Sequence, residues 1–229
     1  NTDETPVLGR SIMGQFDYIF FDLDGTMIDS GDGITLSVQY ALKKMGIIEK
    51  ELSALKVFVG PPLKDSFMYY YGFSDEEAEK AISYYRVYYE SRGILRCWPY
   101  KRVEKLLSFI ENTGRKAVIA TSKPELFARR IVQHLHMSQM FEYIAGASFD
   151  EKIVKKAEVI AYAMKEIGAD DPSRILMVGD RKFDVIGARA NGIKTAGVLY
   201  GYGSYPELLD AGADYIAKNV SELAEVVAL

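Results

Sequence analysis

The chain has 229 residues, 48% of them apolar, enough for one large core or for a core with a small companion unit. Its 28 basic and 32 acidic side chains leave a net charge of −4, which argues against a nucleic-acid or membrane surface, and nothing implies a protein partner. The single cysteine, Cys97, rules out a disulfide within the chain and suits a reducing, cytoplasmic setting; no apolar run approaches the roughly 20 residues of a membrane span.

Residues 1–14 have no basic region followed by an apolar one and read as a loose tail rather than a secretory leader. The run Tyr18-Ile19-Phe20-Phe21 predicts a buried strand that stops at Asp22-Leu23-Asp24-Gly25-Thr26. Carboxylates at the end of a buried strand cost stability unless a cation or hydrogen-bond donors compensate them. Asp-Gly is also ordinary turn chemistry. On a continued strand, Asp22 and Asp24, two apart, would share a face.

Helices alone are expected from residue 31 to 96. One carries Ile34, Val38, Ala41 and Leu42 at helical spacing and ends at Gly46. A short one covers 49–58, and another opens after Pro61-Pro62 and runs to Gly72. A capping box at Ser74-Asp75-Glu76-Glu77 opens a fourth, which runs to about Arg92. The dense tyrosines of this block (Tyr69, Tyr70, Tyr71, Tyr84, Tyr85, Tyr88 and Tyr89) read as packing for a small helical unit with hydroxyls at its rim, or as a stacking surface for a base.

From Tyr100 helices and strands alternate, which predicts a parallel sheet with helices on both faces. The fold class is α/β, a Rossmann-like three-layer core made of residues 15–30 and 97–229, with residues 31–96 inserted as an all-helical cap. Two later strands end in polar residues. Ala117-Val118-Ile119-Ala120 runs into Thr121-Ser122 before a helix at Pro124, and free N–H groups at a helix start form an anion site, although Thr-Ser before Pro is also a common cap. Ile175-Leu176-Met177-Val178 runs into Gly179-Asp180, with Asp184 four residues on. With Asp22, these carboxylates make an all-oxygen donor set of the kind that suits Mg²⁺. His134 and His136 are two apart on a predicted helix and face apart, so with one cysteine they complete no zinc set, and no P-loop is present.

Asp22-Leu23-Asp24-Gly25-Thr26 resembles the D-x-D-G-T motif of the haloacid dehalogenase superfamily, in its phosphatase branch, and Gly179-Asp180-Arg181-Lys182-Phe183-Asp184 resembles the same family's G-D-x-x-x-D. The resemblance implies a nucleophile at Asp22 and a general acid/base at Asp24. It implies phosphate contacts at Gly25, Thr26, Thr121 and Ser122, and Mg²⁺ held by Asp22, Asp24, Asp180 and Asp184. It also implies a lysine at a helix start, for which Lys152, Lys155 and Lys156 compete. Lys156-Ala157-Glu158-Val159-Ile160 matches best, although no proline follows as in the family's usual form. The cap's place between the first two motifs, and Gly60-Pro61-Pro62-Leu63 within it, look like the phosphoglycolate phosphatase-like branch, which includes bacterial 5′-nucleotidases. The expected activity is hydrolysis of a small phosphorylated metabolite. Asp24 argues against carbon–halogen cleavage, whose halide leaving group needs no proton. A phosphosugar mutase keeps the same residues and differs mainly in what accepts the phosphoryl group, whereas a phosphate-binding module without turnover is disfavoured by the presence of all the catalytic carboxylates. Lys64 stands at a helix start beside Pro62, suited either to the site or to the surface.

Overall fold

The computed structural model describes residues 14–148 and 152–229; the expected tail lies outside them apart from Gly14. The chain opens with β1 (Tyr18–Phe21) and β2 (Ile28–Asp29), then passes through α1 (Gly31–Lys44), α2 (Leu63–Tyr71) and α3 (Asp75–Tyr88) to β3 (Trp98–Pro99). The alternating part follows: α4 (Val103–Asn112), β4 (Lys116–Pro124), α5 (Glu125–His134), β5 (Tyr143–Ala147), α6 (Lys156–Ile167) and β6 (Ile175–Gly179). It ends with α7 (Lys182–Ala190), β7 (Lys194–Val198), α8 (Tyr205–Ala211), β8 (Tyr215–Ala217) and α9 (Val220–Val227).

Six strands form one parallel sheet in the order β5-β4-β1-β6-β7-β8. The strand order reverses about β1, and ligands of such sheets gather at the carboxyl ends of strands near that reversal. Strand alternation explains the three layers. Ile19 and Phe21 enter one apolar cluster with Leu106, Ile110, Ile131 and Leu223 from α4, α5 and α9. Phe20 enters the other with Val159, Ile160 and Ala188 from α6 and α7.

The block from α1 to α3 contains helices and, among the described residues, no strand, as the periodicity implies, and its capping box is formed, with Ser74 N donating to Glu77 Oε2 at 2.9 Å and Glu77 N to Ser74 Oγ at 3.2 Å. Its interior, including Val38, Leu42, Phe58, Phe67 and Ile82, is continuous with the α4/α5/α9 side of the core. Tyr85 and Tyr89 are buried, whereas Tyr69 and Tyr70 are exposed.

Four local features differ from the sequence expectation. The helix expected over 49–58 is a 3₁₀ segment, Leu52–Phe58. The helix expected to reach Arg92 passes at Tyr89 into a π turn, Tyr89–Gly93. A Cβ on Gly33 would sit 2.2 Å from Gly93 O, so backbone-to-backbone packing sets the path of that turn. β2 and β3 pair antiparallel, Ile28 with Pro99 and Asp29 with Trp98, a ladder too short to read from periodicity. α5 ends at His134, so His136 lies beyond the helix expected to carry both histidines. No helix among the described residues is long and apolar enough to cross a membrane.

Phe20 is fully buried between two strands and two helices. Phe20→Ala is expected to destabilise the protein by about 3–5 kcal/mol. Urea unfolding would measure this, and a loss below about 1 kcal/mol would contradict the packing described.

Candidate active site

β1 stops at Phe21, and the backbone turns at once: Leu23 O accepts from Met27 N at 3.0 Å and from Ile28 N at 3.1 Å. Asp22 and Asp24 therefore do not continue a strand as a shared face, and each carboxylate has its own cation. Lys156 Nζ lies 2.8 Å from Asp22 Oδ1 and 2.8 Å from Asp184 Oδ1, and donates to Ala120 O at 3.1 Å. Lys123 Nζ lies 2.9 Å from Asp24 Oδ2. Of the three lysines that compete at the start of α6, Lys156 is the buried one and Lys155 is exposed.

Asp22, Asp180 and Asp184 are all buried, and each offers an oxygen within 4.8 Å of the others. Asp180 comes from the end of β6, and Asp184 from the first turn of α7, where its Oδ2 accepts from Arg181 N at 3.1 Å. Asp180 is held on both oxygens, Oδ2 by Tyr202 N at 2.7 Å and Oδ1 by Thr26 Oγ1 at 3.4 Å. Gly25 makes the approach possible: its φ is +86°, and a Cβ there would lie 2.3 Å from Asp180 Oδ2. Asp24, expected in the metal set, directs Oδ2 to Lys123, and its carboxylate lies outside the group of three.

The group holds three carboxylates against the one ammonium of Lys156. Burial, with Asp184 and Asp22 beside it, pushes the Asp180 carboxyl up to about 8. Burial also raises Asp184, against the pull of Lys156. The Lys156 ammonium is driven up by Asp184 and Asp22 despite its burial. A site so short of positive charge, with only hard oxygen donors, fits a divalent cation.

The expected phosphate contacts have mixed placements. Thr121 is buried within β4, which runs on past the expected stop at Ala120 to Pro124, and its Oγ1 accepts from Lys123 N at 3.2 Å; Ser122 is half-buried beside it, one residue before Lys123 and ahead of α5. Thr26 is fully buried, with its hydroxyl on Asp180 and its carbonyl accepting from Tyr200 Oη at 3.1 Å. Lys64 pairs with Asp75 at 2.7 Å and Glu79 at 3.0 Å, on the surface of the helical block.

Several residues at the site were not singled out by sequence. Lys123 donates to Tyr89 Oη at 2.8 Å, so a side chain of the helical block reaches the partner of Asp24. Arg181, beside Asp180, donates from Nη1 to Val59 O at 2.7 Å and from Nε to Glu207 Oε1 at 2.9 Å. The backbone just ahead of Gly60-Pro61-Pro62 is thereby joined to the residue after Asp180. Tyr202, whose N–H holds Asp180, donates through its hydroxyl to Asp29 Oδ1 in β2. Lys123 had a weak local signal, as a lysine directly after two strand-end hydroxyls. The pairings of Arg181 and Tyr202 had none, since their partners are 122 and 173 residues away.

A family profile described as haloacid dehalogenase-like hydrolase matches residues 19–198. A 5′-nucleotidase of Pseudomonas aeruginosa is 37% identical over 209 residues, covering 91% of this chain and 94% of that protein. The tyrosine-protein kinase PtkA of Mycobacterium tuberculosis is 39% identical over 201 residues, covering 88% of this chain and 65% of that protein. A crystal structure described as a predicted phosphatase from Clostridium acetobutylicum superposes with a TM-score of 0.89 at 46% identity, over 93% of this chain and 98% of that one.

The raised Asp180 carboxyl gives a pH signature. Without a cation the folded protein keeps this proton to about pH 8, whereas the unfolded chain loses it near 3.8. Asp180's contribution to stability is therefore full below pH 3.8 and is lost as pH rises through about 8. In chelator, urea stability is expected to carry this downward component between those limits. Added Mg²⁺ should remove it, and identical profiles with and without Mg²⁺ would contradict a cation at this group.

Proposed function

The chain belongs to the haloacid dehalogenase-like hydrolase family, and on that footing we propose that it hydrolyses the phosphate monoester of a small metabolite through an aspartyl-phosphate. The observation that carries this reading is the buried group of Asp22, Asp180 and Asp184 with Lys156 bridging Asp22 and Asp184.

In this reading Asp22 attacks phosphorus in line and takes up the phosphoryl group. Lys156 offsets the charge of the attacking carboxylate and of the phosphoryl oxygens. Thr121, Ser122 and the free N–H groups at the start of α5 hold those oxygens, with Gly25 and Thr26 closing the other side. Asp24 gives a proton to the leaving alkoxide and then takes one from the water that cleaves the acyl phosphate. The oxygen suited to both transfers is Oδ1, which is buried and meets no hydrogen-bond partner among the described residues, while Oδ2 is tied to Lys123. Asp22, Asp180 and Asp184 would hold Mg²⁺, which would supply charge neutralisation at the phosphoryl oxygens. Residues 31–96 act as a cap that excludes bulk water and selects the substrate.

Phosphoglycolate and nucleoside monophosphates are the substrate classes to try first, the second favoured by the likeness to a 5′-nucleotidase. Phosphate release over both, with sugar phosphates added, tests the reading; an isomer formed in place of phosphate would mark a mutase. The likeness to a protein named as a tyrosine kinase supports a second reading, in which the phosphoryl group passes to a tyrosine hydroxyl instead of water. Labelled ATP with a tyrosine peptide separates the two.

Asp22→Asn is expected to abolish both turnover and the acid-stable, hydroxylamine-labile label on the protein. Asp24→Asn should lower kcat by about 10²–10⁴-fold for an alkyl phosphate, and by clearly less for p-nitrophenyl phosphate, whose leaving group needs no proton. Turnover that survives in Asp22→Asn or in excess chelator would overturn the assignment.

A further inference from the structure

Asp24 is a buried carboxylate with divided surroundings. One oxygen faces Lys123 Nζ at 2.9 Å, and the other is without a partner among the described residues. Lys123 is itself buried, with 7% of its side chain exposed, and two elements fix it. Its backbone N–H donates to Thr121 Oγ1 at 3.2 Å, which sets where the side chain starts from the end of β4. Its ammonium donates to Tyr89 Oη at 2.8 Å and lies 4.8 Å from the centre of that ring. Tyr89 belongs to the π turn of the helical block, stacks on Tyr85 at 5.3 Å between ring centroids, and meets Phe127 of α5 edge-on at 5.7 Å.

From this geometry, and resting on the reading of Asp24 as the acid/base, we infer that Lys123 is a positioning residue for Asp24 and that Tyr89 seats it. The block that carries Tyr89 thereby sets the orientation of the proton-transferring oxygen. Asp24 stands on the short turn after β1, where a free carboxylate rotates between staggered positions. An ammonium on Oδ2 selects one of them and leaves Oδ1 turned towards the reacting atoms. Tyr89 accepts from the ammonium and so keeps it from following Asp24 when the carboxylate takes or gives a proton. The charge states fit these roles. Burial pushes the Tyr89 hydroxyl up to about 12, so it stays neutral, and although burial disfavours the Lys123 ammonium, Asp24 and Tyr89 hold it well above its ordinary value.

A residue that acts through Asp24 has a kinetic mark that a merely structural one lacks: its removal costs nothing further once Asp24 is gone. The test is a cycle of Lys123→Met, Asp24→Asn and the double variant, with kcat and KM measured separately for p-nitrophenyl phosphate and an alkyl phosphate. Lys123→Met is expected to lower kcat for the alkyl phosphate about tenfold or more, p-nitrophenyl phosphate less, and KM within about twofold. In the Asp24→Asn background the same substitution should change kcat by less than about twofold. Tyr89→Phe keeps the ring and its stacking and removes only the acceptor, so it folds even if Lys123→Met, which strands a buried carboxylate, does not. Its loss should be smaller, about two- to fivefold, with the same bias against the alkyl leaving group, and it should vanish when Lys123 is already replaced. Losses that multiply across the cycle, or that fall equally on both leaving groups, would overturn the inference while leaving the hydrolase reading intact. Turnover that persists in Asp22→Asn would instead sink the reading beneath it.

Discussion

The constraint on which this structure turns is the concentration of negative charge at the ends of β1 and β6. Asp22, Asp180 and Asp184 are withdrawn from water within one small volume. Ionised carboxylates do not persist in such a place without compensation. Much of the neighbouring chain supplies it: Lys156 reaches in from α6, Tyr202 and Thr26 hold Asp180, and Arg181 N holds Asp184. What these groups leave uncompensated is the room for a divalent cation. The sheet's part is to bring strand ends from distant stretches of sequence together, which a parallel order reversing about β1 does.

The two aspartates of the first motif are close in sequence and separate in electrostatics. Asp22 shares a lysine with Asp184, and Asp24 has Lys123 to itself, with Tyr89 behind it. In the proposed reading, a turn that sends them to different partners keeps the attacking carboxylate apart from the one that exchanges protons. A shared cation would couple the two roles, because the charge state of either would feed directly into the other.

The sequence was legible where one side chain type recurs at a fixed period or where a buried run meets a carboxylate. β1 and β6 are apolar runs that meet Asp22 and Gly179-Asp180 at their ends, and the apolar run of β4 gives way to Thr121 within the strand, so both the runs and the polar residues after them could be read in line. The capping box at Ser74 is likewise a local pattern with a local cause. What stayed hidden involves distant partners or very short elements. Tyr89 meets Lys123 across 34 residues and Arg181 meets Val59 across 122, and no periodicity encodes such pairs. The ladder of β2 and β3 has two residues on each side, too few for alternation to appear, and the π turn depends on Gly33 packing against Gly93 rather than on any helical stop signal. The shared-face expectation for Asp22 and Asp24 failed because the turn at Leu23 ends the strand first.

The pairing of Ile28–Asp29 with Trp98–Pro99 brings the outgoing and returning chain side by side. To the sheet, the whole stretch between them is a loop whose ends are already fastened. Closure entropy grows only with the logarithm of loop length, so doubling such a stretch costs about 0.6 kcal/mol. Its length and helix count are thus nearly free variables for the rest of the protein. A replacement of quite different size could be grafted at the same fastening, provided it covered the apolar surface that Tyr89 now meets at Phe127, gave Arg181 a carbonyl, and gave Lys123 an acceptor.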